Sequence, residues 1–189
     1  MIDGDPIFVI EPHSDDAFLS LGWSMRTWVR QGRRVEILTV HSVEEDRRTE
    51  AKAFADAIGA GWRGLDVPCA TVADITAGKP LDPLPDPLLP DDALDPAACR
   101  IWPLGLLHVE HQAVAARAGS DLRYVDIPYM LDVDHQDEVA SRLTGRTIAW
   151  WLRPPPEKWD DSALFPSQAL LFKYYPIPGL VCVPEIVVR

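Results

Sequence analysis

The chain has 189 residues, of which 47% are apolar and 25% charged, and its formal net charge is −11. That length suits one domain around a single sizeable core, and the acidic balance opposes general binding to nucleic acid or anionic membranes. No stretch approaches the roughly 20 apolar residues that cross a bilayer. No basic, apolar and small-residue series of a secretion signal is expected either. The three cysteines, Cys69, Cys99 and Cys182, are widely spaced and form no metal-knuckle pattern. They read as reduced thiols of a cytoplasmic protein.

Residues 7–10 are a continuous apolar run, the mark of a strand buried on both faces. The run ends in His13-Ser14-Asp15-Asp16. In an open α/β sheet the carboxyl ends of the strands are where ligands bind. An imidazole and a carboxylate are ligands a catalytic zinc takes, and a second carboxylate beside them can act as a base. A helix N-cap by Ser14 or Asp15 is the plainer use of this tip, but it leaves His13 unexplained. Residues 16–30 then show helical spacing, with Phe18, Leu21, Met25, Trp28 and Val29 as the inner stripe, and Gly32 is placed to stop the helix.

A second strand is expected over residues 35–40 and a second helix over 47–58, ended by Gly59. Strands alternating with helices of this length pair in parallel through right-handed crossovers. His41, at the end of the second strand, could line the same pocket as His13, but a satisfied histidine of the core or sheet edge is the favoured reading. Prolines at 80, 83, 85, 87, 90 and 96 then punctuate an acidic segment that cannot sustain a long helix or a central strand. This Pro-rich segment, 68–98, is expected to be a surface excursion, either a solvated linker or a lid, with a short helix near 91–94.

Regular structure resumes with a strand at 100–104, a helix at 108–118 and a strand at 122–127. Late strands at 147–152 and 180–188 are expected to pair with each other. Pro154, Pro155 and Pro156 enforce an extended connection, and a short helix follows at 167–172. Trp150 and Trp151, adjacent in a strand, should face opposite ways. His135 reads as a surface residue. A sugar-stacking role is open to Trp23, Trp102 or Trp159.

His108-Val109-Glu110-His111 opens the helix at 108. Residues three apart on a helix share a face, so both imidazoles can point to one site. If the strand near Ile101 lies beside the first strand, they reach the same sheet edge as His13. His13, Asp16 and one of the two later histidines would then be three protein ligands, leaving a fourth position for water or substrate, as in catalytic zinc sites. The spacing differs from that of the helical zinc proteases.

These two clusters resemble the His-Pro-Asp-Asp and His-x-Asp-His motifs of the PIG-L/LmbE-like zinc-dependent N-deacetylases. The similarity continues in order along the chain. Arg47 and Glu50 resemble that family's Arg-x-x-Glu helix, and Leu65-Asp66-Val67-Pro68 its Leu-Asp-x-Pro segment. Tyr124-Val125-Asp126-Ile127-Pro128-Tyr129 is similar to the strand after the second motif, and Ser167-Gln168 to a late Ser-Gln pair. The resemblance implies a single LmbE-like domain over residues 1–189, with a Rossmann-like, mainly parallel sheet flanked by helices.

It also implies zinc, or another divalent transition metal, held by His13, Asp16 and His111. Asp15 would be the general base toward the attacking water. His108 would stand beside the developing oxyanion as a protonated stabiliser or proton donor, and Arg47 would bind substrate. The implied partner is a small N-acylated amino sugar or glycoside, such as an N-acetylglucosamine conjugate, with N-acetyl the leading acyl group. Oligomeric state is left open, a homo-oligomer included. Three positions depart from the family pattern: Ser14 replaces proline, Glu110 replaces aspartate, and Cys69 follows Pro68 where an acidic residue is common.

Two other classes compete. A receiver-like phosphoacceptor domain would need a lysine after a buried strand, and none of Lys52, Lys79, Lys158 and Lys173 is so placed. A catalytically inactive, metal-stabilised sugar-binding module of the same fold would have little use for Asp15.

Overall fold

In a computed structural model of the chain, which describes residues 2–127, 129–168 and 183–189, the first apolar run becomes the central strand β1 (Ile7–Glu11). All five of its residues are buried. It pairs in parallel with β2 (Val35–Thr39) on one side and with β4 (Cys99–Pro103) on the other. β3 (Gly61–Gly64) flanks β2 and β5 (Leu122–Tyr124) flanks β4, both in parallel. β7 (Glu185–Val188) is antiparallel to β5 and to β6 (Ile148–Leu152). The sheet order is β3-β2-β1-β4-β5-β7-β6, an α/β architecture with a mainly parallel sheet and an antiparallel margin. The late pairing read from the sequence is therefore present.

Helix α1 (Asp16–Arg30) buries Phe18, Leu21, Met25 and Trp28 against one sheet face, with Val29 partly buried at its edge. It ends where Gly32 takes a φ of 80°. Helix α2 (Glu45–Ile58) adds Phe54 and Ile58 to the same core and stops at Gly59 in the left-handed region. That core has stacked Phe18 and Phe165 rings 4.9 Å apart. Trp150 packs inward with its indole N–H donating to Ser24 Oγ, whereas Trp151 is exposed. Trp102 and Trp159 are both buried in the core, which removes them as sugar platforms.

The Pro-rich segment runs largely over the surface, as expected, but it is not a solvated linker throughout. Leu88, Leu89 and Ala93 are buried with Phe8, Ile10, Leu38 and Val40, so the middle of the segment covers the second sheet face. Prolines prevent a full helix there, but apolar residues between them still seal the strands; the solvated-linker reading is corrected. A 3-10 turn at Asp91–Leu94 matches the expected short helix, and α3 (Val72–Thr76), capped by Thr71, is an addition. β3 was also missed, because Gly-Trp-Arg-Gly has no apolar run. It is held at the edge by Trp62 Nε1 donating to Thr39 Oγ1 at 2.8 Å and by Arg63 pairing with Asp92.

Other boundaries shift. The helix expected at 108–118 is α4 (Val109–Ala115). The strand expected at 122–127 ends at Tyr124, where the chain turns off the ladder toward Gly105. Pro156 opens a 3-10 helix, Pro156–Leu164, instead of extending the connection. The helix expected at 167–172 is a 3-10 turn, Pro166–Gln168, and residues 169–172 lie outside the described residues, as do 180–182 of the late strand. Among the described residues no helix is long and apolar enough to cross a membrane.

Cys99 and Cys69 are both free, the first buried and the second half-buried; Cys182 is outside the described residues. Burial pushes the Cys99 thiol up to about 11. Since the thiolate is the reactive form, Cys99 is expected to resist iodoacetamide at pH 8 in the native chain and to react on unfolding. Mass mapping of the alkylated peptide checks this; rapid native labelling of Cys99 would contradict it.

Candidate metal and active site

The carboxyl ends of four adjacent parallel strands converge on one place. β1 delivers His13, Asp15 and Asp16, β2 delivers His41, β4 leads to His108, Glu110 and His111, and β5 leads to Asp126. Asp15 is the N-cap residue of α1 by position, but its side chain makes no capping hydrogen bond. Ser14 Oγ is buried without a partner. Capping therefore does not account for this tip.

Ligand atoms of His13, Asp16 and His111 lie within 4.8 Å of one another. Asp16 Oδ2 is their centre: it is 3.4 Å from His13 Nδ1 and 3.2 Å from His111 Nε2, and it also accepts the His13 backbone N–H at 2.8 Å. Each histidine is held from behind by a carboxylate. His13 Nε2 donates to Glu110 Oε2 at 2.8 Å, and His111 Nδ1 donates to Asp126 Oδ1 at 2.7 Å. Carboxylate partners of this kind fix ring orientation and raise basicity in metal-binding histidines. His111 Nε2 is wholly buried with Asp16 Oδ2 3.2 Å away and no well-formed hydrogen bond. A buried imidazole nitrogen aimed at a carboxylate, with its other nitrogen satisfied, fits a divalent transition metal.

Asp126 is itself anchored. Its Oδ2 accepts from the backbone N–H of Gly105 and Leu106 at 2.9 and 3.3 Å. Gly105 has a φ of 83°, and a Cβ there would lie 2.7 Å from the Ala115 Cβ. Only glycine lets the chain turn this tightly over α4.

Burial works against ionisation of Asp16, but the charges of His111 and His13 outweigh it and hold the carboxyl well below its usual range. For His111 burial is likewise outweighed by Asp16 and Asp126, and its imidazolium persists to about 9. Metal binding must displace that proton, so affinity should rise with pH.

Asp15 stands outside the ligand cluster. Burial and the neighbouring Asp16 charge raise its carboxyl, and Arg47 opposes the shift. Arg47 Nη2 is 3.3 Å from Asp15 Oδ1. With its amide oxygen turned toward Arg47, Gln168 accepts from Nη2 at 2.8 Å and from Nε at 3.1 Å. Glu50, the other half of the Arg-x-x-Glu pattern, accepts the Ser167 backbone N–H at 2.7 Å. The helix pattern and the late Ser-Gln pair are thus brought together in space.

His108 caps α4, its Nδ1 accepting the Glu110 N–H at 3.4 Å. Burial and the charges of His13 and His111 push it down to about 4. At neutral pH it is a neutral imidazole whose proton sits on Nε2, a donor rather than a cation. His13, Asp15, Asp16, Arg47 and His108 all line one cleft of about 470 Å³, with Tyr129 and Ile75 on its walls. His111 lies buried beneath it. His135, by contrast, is on the surface, paired with Asp132.

Sequence reasoning missed the positions of Glu110 and Asp126. Asp126 follows a strand among apolar residues, which is the signal that could have marked it. Glu110, which stands where the motif usually has aspartate, orients His13 directly.

No protein-family model matches the chain, and no curated protein matches it either. Solved structures do. A deacetylase of teicoplanin biosynthesis superposes with a TM-score of 0.67 at 16% identity, over 96% of this chain and 96% of that one. A deacetylase of the A40926 pseudoaglycone does so with a TM-score of 0.64 at 19% identity, over 90% and 85%. GalB, a 4-carboxy-2-hydroxymuconate hydratase from Pseudomonas putida, reaches 0.56 at 16% identity, over 89% and 82%. The chain has the fold of these proteins, which is the fold its PIG-L/LmbE-like resemblance implied.

Proposed function

We propose that this chain is a metal-dependent amide hydrolase of the PIG-L/LmbE-like kind, removing an N-acyl group, first of all N-acetyl, from an amino sugar or glycoside. A shared fold does not fix a reaction, and a hydratase is among the structures that share this one. The reading rests instead on one observation. His13, Asp16 and His111 present converging ligand atoms, both histidines are backed by carboxylates, and Asp15 stands beside them uncommitted to either task.

His13, Asp16 and His111 would hold a zinc-class ion, which would supply Lewis acidity and lower the pKa of a water there toward about 7. The chain's own residues supply the rest. Asp15 accepts the proton of the attacking water and can pass it to the leaving amine. His108 donates from Nε2 to the oxyanion of the tetrahedral intermediate, an interaction that strengthens as charge develops. Arg47 holds Asp15 in place and, at the cleft wall, offers its remaining N–H groups to substrate oxygens. The cleft mixes charged side chains with Tyr129 and Ile75, a lining suited to a sugar ring with hydroxyls on its edge and carbons on its face. Solved structures of similar fold include a deacetylase of teicoplanin biosynthesis and a deacetylase of the A40926 pseudoaglycone, which supports acyl removal as the reaction.

An amine-release screen of the zinc-loaded chain over N-acetylglucosamine conjugates tests this, with acetate and amine expected in equal amounts. In the same assay His108→Ala should lower kcat by roughly 10²–10³-fold, the usual effect of deleting one oxyanion donor, with metal content unchanged. Saccharide binding without acetate release from any conjugate would sink the hydrolase and favour an inactive metal-stabilised sugar-binding module.

A further inference from the structure

A second cluster of ligand-type side chains lies beside the first. The ligand atoms of His41, Cys69 and Glu110 are also within 4.8 Å of one another. Their surroundings differ from the cleft: the three line a separate cavity of about 230 Å³, roofed by the Pro-rich segment through Pro80, Leu81 and Leu84. Cys69 and Glu110 face both spaces, so they form the partition between them.

His41 is poised as a ligand. Its Nδ1 donates to the Pro68 carbonyl at 2.8 Å, which fixes the tautomer and leaves a lone pair on Nε2. That nitrogen is buried without a hydrogen-bond partner, on a side chain only 5% exposed. An imidazole acceptor placed this way in an unpaired state costs free energy and has no evident packing purpose. Glu110 divides its two oxygens. Oε2 accepts from His13, while Oε1 accepts the Ala70 N–H at 2.7 Å and lies 3.8 Å from His41 Nδ1, the nitrogen that donates to Pro68.

We propose that His41, Cys69 and Glu110 form a second metal site, distinct from the His13–Asp16–His111 cluster, that takes a borderline-soft divalent ion such as zinc or cobalt. One thiolate, one neutral imidazole and one carboxylate balance the charge of such an ion and select against magnesium and calcium, which require oxygen donors. Three protein ligands leave a position open to the cavity, as in sites that exchange a small ligand. Because Glu110 also orients His13, filling the second site is coupled to the first. Two of the three ligands, Cys69 and Glu110, are positions where the chain departs from its family's pattern, so the site is a property of this chain.

The two clusters differ in one testable respect: only the second contains sulfur. Metal-free full-length chain titrated with Co(II) is expected to bind two equivalents, one of them giving a near-ultraviolet thiolate-to-cobalt charge-transfer band. Cys69→Ser, nearly isosteric, should lose the band and one equivalent while keeping its circular dichroism. His41→Asn should weaken the band-forming equivalent by at least about tenfold, the loss expected of a removed metal contact. His111→Ala should lose the other equivalent and keep the band. Absence of the band in the wild type, or its survival in Cys69→Ser, overturns the proposal. A Cys69→Ser chain that binds no cobalt, after a normal wild-type band, would instead overturn the first site and leave this one standing.

Discussion

Asp15→Asn is expected to lower kcat for acyl release by about 10²–10⁴-fold, the range for losing a positioned general base, while metal at the His13–Asp16–His111 cluster is retained. The substitution is close to isosteric, and asparagine Oδ1 still accepts from Arg47 Nη2, now 3.3 Å from the carboxylate. Position and packing therefore survive, and only proton acceptance is lost. Stability gives an independent readout. Burial and the Asp16 charge raise the Asp15 carboxyl above its unfolded value, with Arg47 opposing. A carboxyl so raised contributes its full stability below the unfolded value and loses it as pH rises. At neutral pH the metal-free Asn variant should then melt no lower than the wild type, and relatively higher as pH increases. Full turnover in Asp15→Asn would refute the assignment of the base; a lower melting temperature with lost metal would make Asp15 structural.

Much of this site was legible because the chain writes it at strand ends. His13, Asp15 and Asp16 follow an uninterrupted apolar strand, and His108 and His111 are three apart at a helix start, so local pattern sufficed. Parallel pairing followed from the alternation of strands and helices, while the placing of β4 beside β1 was a condition that the sheet order meets. What escaped was set by contacts across the sheet. Asp126 is 15 residues from His111 and joins it only because β5 lies beside β4. Glu110 reaches His13 across 97 residues. His41 looked like an ordinary edge histidine until the cavity under the Pro-rich segment placed Cys69 and Glu110 against it. Of the two readings of that segment, the solvated linker fails for the converse reason: proline spacing reports the lack of a helix, not the lack of burial, and Leu88, Leu89 and Ala93 seal the sheet without one.

Lys158→Met is expected to cost about 3–5 kcal/mol of stability, the penalty for stranding one partner of a buried ion pair. At about 2–4 °C per kcal/mol for a chain of this size, the melting temperature should fall well outside experimental scatter. Sequence reasoning considered Lys158 only as a candidate for the lysine a receiver-like domain would need and set it aside. In the fold it is 1% exposed and pairs with Glu185, itself 0% exposed, through Nζ–Oε1 at 2.7 Å. The pair meets the backbone of α1. Glu185 accepts the N–H groups of Trp23 and Ser24 at 2.9 and 2.6 Å, and Lys158 Nζ donates to the Leu19 carbonyl at 2.7 Å. Trp23 N–H and Leu19 C=O are the partners a regular helix would join, so side chains from the C-terminal half are fastened at one point of its ladder. Gly22 makes room: a Cβ there would come within 3.5 Å of Lys158 Cε and 3.3 Å of Phe18. Removing the ammonium leaves the Glu185 carboxylate buried without its counter-ion. Replacing both partners, as Lys158→Met with Glu185→Leu, removes both buried charges, so most of the lost stability should come back. Equal loss in the single and double variants, measured by thermal denaturation, would mean that packing of the lysine stem and not the ion pair holds β7 to α1. Because α1 begins at Asp16, the same fastening steadies the helix that carries the metal ligand.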